Sequence, residues 1–247
     1  MSINSAETNW DIFGLHTIVP LSSDTSDGID IVSIHGLNGH YLQTWTDEGT
    51  GVNWLKDLIP KVVPKARVMS FSYNSMLQFS KSTSDVSTFS LQLLEGMMAE
   101  RRSLDESGRP VIFICHSLGG LVFKQAYLLA SDHASHRTLK TRFRGVIFFG
   151  TPHRGSVIAS WAKRAANVLQ FASLNTSTNT QLAKDLEPSS KKLRHISDTF
   201  QVMCSQDKYP VVSCYETDKM VNTVVRHPPP CFLVCCFLSF LISEPDR

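Results

Sequence analysis

The sequence predicts an α/β fold, a doubly wound and mostly parallel sheet with helices on both faces. Three observations predict it. Short apolar runs rich in β-branched residues recur at Ile29–Ile34, Ala66–Tyr73, Val111–Cys115, Arg144–Gly150 and Pro210–Tyr215, the pattern of strands covered on both sides. Between them lie stretches with apolar residues at helical spacing, so strand and helix alternate and the crossovers are expected to be right-handed. Two of the strands also run straight into glycine-bearing turns, His35-Gly36-Leu37 and Ser117-Leu118-Gly119-Gly120, at the sheet end where doubly wound folds hold their ligands.

A chain of 247 residues suits one large domain with a substantial core. The net charge of +2 gives no reason to expect a nucleic-acid partner. The basic pairs Arg101-Arg102, Lys163-Arg164 and Lys191-Lys192 read as solvated helix faces. The six cysteines lack metal-ligand spacing, and three crowd into the tail at Cys231, Cys235 and Cys236. A reducing compartment is expected, with neither a disulfide framework nor a metal or other cofactor. Met1–Trp10 has no basic segment followed by an apolar one, so the chain reads as intracellular and not secreted.

Taken in order, residues 1–28 form an N-terminal segment in which Gly14–Val19 makes a short first strand and Ser22–Gly28 a polar turn. Ile29–Ile34 is the next strand. The glycine at 36 lets the backbone bend so that the N–H of Leu37 points toward Ser117 as an oxyanion donor. By itself the same string is equally a plain glycine turn; beside the serine turn the oxyanion role leads. His35 and His40 read as structural or pocket-lining. Asn53–Val63 has Trp54, Leu55, Leu58 and Ile59 at helical spacing and is closed by Pro60 and Pro64. Ala66–Tyr73 follows as a strand, then a serine- and threonine-rich loop and a helix over Val86–Arg102.

Val111–Cys115 enters through Pro110 and leads into Ser117, with His116 and Leu118 on either side and Gly119 and Gly120 behind. Leu121, Val122, Ala126 and Leu129 then fall at helical spacing. A strand, a sharp turn with serine at its apex and a helix make a nucleophile elbow. The turn exposes the hydroxyl, and the N–H of Leu118 sits where an oxyanion would develop. Cys115 stands where the first glycine of G-x-S-x-G is usual, a small side chain that the turn tolerates. The bland alternative is a buried structural serine.

Arg144–Gly150 repeats the buried-strand pattern and feeds Thr151-Pro152-His153-Arg154-Gly155-Ser156. His153 is read as pocket-shaping and not catalytic, because the order Ser, acid, His places the base later in the chain. Ser156–Phe171 reads as an amphipathic helix, and 173–204 as a cap containing a helix over Leu182–Cys204 that breaks at Glu187-Pro188. Pro210–Tyr215 is the next strand, ending at Glu216, which is either the triad carboxylate or an ordinary turn residue.

The strings IVSIHGLNGH, IFICHSLGGLVFKQA and GVIFFGTPHRGS, in that order, resemble the serine-esterase and lipase-like α/β-hydrolases of the DUF676/PGAP1-like group. The nearest likeness is to the SERAC (serine active site containing) proteins and the fungal domain that precedes NACHT, ankyrin or tetratricopeptide regions. The resemblance runs from Gly14 to Glu216. It implies Ser117 as nucleophile, the His35-Gly36-Leu37 turn as oxyanion element, and ester or lipid substrates. It also implies peripheral association with mitochondrial or endoplasmic reticulum membranes as an alternative to the cytoplasm.

The hydrolase domain is drawn over 29–225, and residues 226–247 depart from the pattern. Where the family continues through a strand to a late histidine, this chain has His227 followed by three prolines, then the apolar Cys231–Ile242. That tail resembles read-through of a shortened gene model, with the last strand and its histidine missing. Twelve residues make about 18 Å of helix, short of the roughly 30 Å hydrocarbon core, so the segment cannot span unaided, and a peripheral membrane contact or a buried hydrophobic end are the alternatives. Two functions follow: a serine hydrolase, or a catalytically impaired hydrolase-fold module for signalling or protein interaction. Neither reading fixes the oligomeric state.

Overall fold

The computed structural model describes residues 13–21, 28–75, 84–153 and 179–214. Its centre is a six-stranded sheet: β1 (Gly14–Val19), β2 (Ile29–Ile34), β3 (Ala66–Ser72), β4 (Val111–His116), β5 (Phe143–Phe149) and β6 (Val211–Cys214). The strands lie in the order β1-β3-β2-β4-β5-β6. β1 pairs antiparallel to β3, and every other neighbour is parallel. This is the mostly parallel, doubly wound sheet of an α/β-hydrolase fold.

Because side chains alternate along a strand, each parallel strand feeds two cores. Val32, Ile34, Phe113, Cys115, Val146 and Phe148 face one layer, where α3 (Ser84–Glu100), α5 (Gly119–Asp132) and α7 (Asn179–Gln206) supply Leu93, Leu94, Val122, Phe123, Ile196 and Phe200. Ile31, Ile112, Ile114, Ile147 and Phe149 face the other, against Trp45, Leu55, Ile59 and Val63. The strand order turns at β2: β3 lies on one side of it and β4 on the other. The crevice beyond the carboxyl ends of β2 and β4 is therefore the natural ligand position.

Several expectations change in detail. The helix expected over Asn53–Val63 is two single turns, α1 (Trp54–Asp57) and α2 (Ile59–Val62), with Pro60 in the first turn of the second. Asn53 caps α1, its side chain accepting from the Lys56 N–H. Two short helices were not anticipated. α4 (Leu104–Gly108) is closed by a Ser103–Glu106 capping box, and α6 (Ala134–Lys140) follows α5. The break expected at Pro188 is absent, since α7 is continuous over Asn179–Gln206. The segment 173–204 is described from Asn179 onward, and Leu193–Cys204 lies against the sheet. There Leu193, Ile196, Phe200 and Cys204 are buried in the core, making this part of α7 a crossover helix between β5 and β6. Among the described residues no helix is long and apolar enough to cross a membrane. Met1–Trp10, Ser156–Phe171 and the tail from Glu216 lie outside the described residues.

Arg101 is not part of a solvated face. It is 5% exposed and bonds Asp30, which is itself fully buried. Arg67 grips the same carboxylate through two bonds of 3.0 and 2.8 Å, and Arg109 Nε donates to it at 2.9 Å. The remaining guanidinium groups reach the carbonyls of Ile29, Lys65, Glu100, Ser107 and Arg109. Burial forced the correction: an arginine at the end of α3 lies within reach of a buried carboxylate, and the pairing offsets the desolvation of both.

Candidate active site

Gly36 follows β2 and Ser117 follows β4, and these strands are neighbours paired from Asp30 opposite Val111 to Ile34 opposite Cys115. Two turns far apart in sequence therefore meet at one end of the sheet. Their approach is close: a Cβ on Gly36 would lie 2.8 Å from Ser117 Cβ and 3.0 Å from His116 Nδ1. Gly119 is equally confined, because a Cβ there would fall 2.3 Å from the Ile34 carbonyl oxygen. Both positions require glycine for this packing.

Ser117 has φ +50°, the left-handed region that costs an L-residue about 1–2 kcal/mol. Surrounding bonds hold it there. Its N–H donates to the Phe149 carbonyl at 2.8 Å, while its own carbonyl accepts from Gly120 N–H at 3.2 Å and from Thr151 Oγ1 at 3.1 Å. A strained serine between a parallel strand and the helix it starts is the geometry of a nucleophile elbow. Cys115, at the usual first glycine, is fully buried in the core, where a small side chain fits.

Leu118 precedes the first turn of α5, and its side chain is buried. Leu37 packs against the same core layer. Among the described residues neither the Leu37 nor the Leu118 N–H makes a hydrogen bond. Among the described residues the two turns thus carry backbone donors with unused capacity, one at the amino end of a helix.

The described histidines here are held neutral. His35 is fully buried and stacks on Tyr73 with ring centroids 4.5 Å apart. Its Nδ1 donates to the Gly36 carbonyl at 2.8 Å and its Nε2 accepts from Tyr73 N–H at 3.3 Å. Tyr73 closes the arrangement by donating its hydroxyl to the His35 carbonyl. Burial lowers the His35 pKa to about 4. His35 is therefore a brace for the Gly36 turn. His116 is lowered to about 4 by burial, and its Nδ1 has no partner among the described residues. His153 follows β5, sits edge-on to Phe148 and shares a 3.1 Å hydrogen bond with Ser213 Oγ on β6. Burial first, then the Lys124 charge, lowers it to about 4. His40 accepts from the N–H groups of Leu42 and Gln43 and so shapes the loop after the Gly36 turn. Glu216 lies outside the described residues. Among the described residues no group of three or more His, Cys, Asp or Glu side chains is placed to hold a metal ion.

Sequence reasoning brought together Gly36, Leu37, His116, Ser117, Leu118 and Gly119, and missed Lys124 as a support. Lys124 carried a readable signal, a lysine on the apolar side of the helix that follows the elbow.

Sequence comparison finds relatives among proteins named SERAC1. The Bos taurus and Homo sapiens proteins are each 26% identical over 204 residues, and the Mus musculus protein is 28% identical over 204 residues. These alignments cover 76% of this chain and 30% of each relative, so the chain spans about a third of the length of the curated proteins it matches. No family model matches the chain. Among solved structures, a Rhizomucor miehei esterase overlaps 92% of this chain and 79% of its own, with 12% identity and a TM-score of 0.46. Esterase B of Lactobacillus rhamnosis overlaps 78% of this chain and 66% of its own, with 10% identity and a TM-score of 0.41. The chain is a sequence relative of the SERAC1 proteins, and its own sheet order and strand directions are those of an α/β-hydrolase fold.

Proposed function

We propose that this chain is a serine hydrolase acting on carboxylic esters, lipids included. The observation that carries the reading is Ser117 held in left-handed backbone at the strand-to-helix turn, with the Gly36 turn pressed against it. Ser117 Oγ attacks the ester carbonyl carbon as a general base takes the hydroxyl proton. The tetrahedral oxyanion accepts hydrogen bonds from the N–H groups of Leu37 and Leu118. Its collapse expels the alcohol, and water then cleaves the acyl-enzyme. Glu216 is the proposed carboxylate that orients the base. Among the described histidines, His35 spends both ring nitrogens on structure, and His153 is tied to Ser213 through Nε2. Peripheral contact with mitochondrial or endoplasmic reticulum membranes belongs to the same proposal and rests on the family resemblance.

Fluorophosphonate labelling of the folded chain, read by intact mass beside Ser117→Ala, tests the reading. A single adduct that the variant lacks is expected. Folded protein that takes no adduct would overturn the hydrolase reading in favour of a catalytically impaired module for signalling or protein interaction.

A further inference from the structure

Lys124 lies on α5 about two turns beyond Ser117, and its side chain is buried, with 1% of the residue exposed. Its Nζ donates to the Pro152 carbonyl at 3.3 Å and to Ser197 Oγ on α7 at 3.1 Å. The ammonium sits 5.6 Å from the Phe148 ring centre and 6.0 Å from that of Phe200. It makes no salt bridge among the described residues, although Asp198 lies near enough to favour its charge. A buried ammonium without an ion-pair partner is costly, and a methionine of similar length would avoid that cost. Its two bonds show what the charge does. The Pro152 carbonyl is an acceptor in a buried stretch of loop, and Lys124 supplies its donor.

The loop held in this way is the one that supports the elbow. Phe149 accepts from the Ser117 N–H, and Thr151 donates to the Ser117 carbonyl. The Thr151 side chain also presses on α5, where a Cβ at Gly120 would lie 2.2 Å from Thr151 Oγ1. We propose that Lys124 is a positioning residue for the nucleophile: by tying Pro152 and α7 to the elbow helix it fixes Thr151, and through Thr151 the backbone of Ser117. The role in chemistry rests on the hydrolase reading; the role in holding the backbone does not.

The test compares Lys124→Met and Lys124→Gln with the wild-type full chain in three measurements: urea unfolding, the saturation kinetics of fluorophosphonate labelling, and amide hydrogen exchange at Ser117. The Met variant is expected to keep wild-type stability or exceed it. Its maximal labelling rate should fall about tenfold or more at unchanged half-saturation, and exchange at the Ser117 amide should rise about tenfold. The Gln variant keeps an N–H donor and should restore both to within about threefold. Labelling and exchange at wild-type levels in a folded Met variant would overturn the proposal, as would losses that only track stability. If wild type itself takes no label, the hydrolase reading fails while the exchange measurement still decides whether Lys124 holds the elbow. Should Lys124→Met not fold, Ser197→Ala removes one of the two partners; a rise in Ser117 exchange of about threefold supports the proposal and wild-type exchange sinks it.

Discussion

Gly36 and Ser117 stand so close that a methyl group on the glycine would lie 2.8 Å from the serine Cβ. The contact joins the end of β2 to the end of β4 and sets the spacing between the Gly36 turn and Ser117. Its tolerance is sub-ångström, which makes the site sensitive to substitution at Gly36.

Gly36→Ala should therefore damage the site more than the fold. The added methyl also meets His116 at 3.0 Å, so one of the two turns must shift, at about 1–3 kcal/mol of stability. Labelling of Ser117 by a fluorophosphonate is expected to fall at least tenfold, since one donor of an oxyanion hole alone is worth about a hundredfold. Unaltered labelling would mean that the Gly36 turn is no part of the oxyanion element.

Ser117→Gly and Ser117→Ala should separate strain from chemistry. Both remove the hydroxyl and should abolish labelling. Only glycine relieves the backbone at φ +50°, so the Gly variant is expected to be about 1 kcal/mol more stable than the Ala variant. Equal midpoints in urea would show that the elbow is unstrained.

Asp30 is fully buried beneath Arg67, Arg101 and Arg109. Asp30→Asn leaves three guanidinium groups without that charge and should cost about 3–5 kcal/mol. Equilibrium unfolding would measure the loss. A cost below about 1 kcal/mol, the range of an exposed pair, would show that the cluster contributes no more than surface charges do.

Stability should fall as pH drops from 6.5 toward 4. Burial holds His35 neutral down to about 4, whereas in the unfolded chain it takes a proton near 6.5. Between those values the unfolded state binds more protons, so lowering the pH favours it, and the trend ends once the folded form also protonates. At pH 5 this one group lowers stability by about 2 kcal/mol. His116 and His153 act in the same direction. Urea midpoints at pH 7.5, 6 and 5 would follow the decline, and His35→Gln should make it shallower while His116 and His153 sustain the rest; a flat wild-type profile would contradict the burial of these rings.

Where the sequence was legible, the reason was a periodicity enforced by burial. β2, β4 and β5 are covered on both faces over most of their length, so apolar residues dominate them, and they run into the turns at Gly36, Ser117 and Gly150. The elbow was legible because steric demand selects its residues: nothing larger than hydrogen fits at 119. What stayed hidden depends on contacts between distant segments. Arg101 looks like any charge at a helix end until Asp30 is placed beneath it, and the clue was an aspartate inside the strand Ile29–Ile34. The Pro188 break failed because a local helix penalty was overruled in a long helix whose later turns pack on the sheet. His153 could be placed after β5 from sequence, but its tie to Ser213 needed the pairing of β5 with β6.

The arginine cluster at the opposite end of the sheet from Ser117 also bears on how the chain assembles. Asp30 draws its partners from positions 37, 71 and 79 residues away. A half-built sheet holding β2 and β3 without β4 would enclose a carboxylate and an arginine with their hydrogen-bonding capacity unfilled. Such partial structures are disfavoured, so β2, β3, β4 and the end of α3 should form and dissolve as a single cooperative unit.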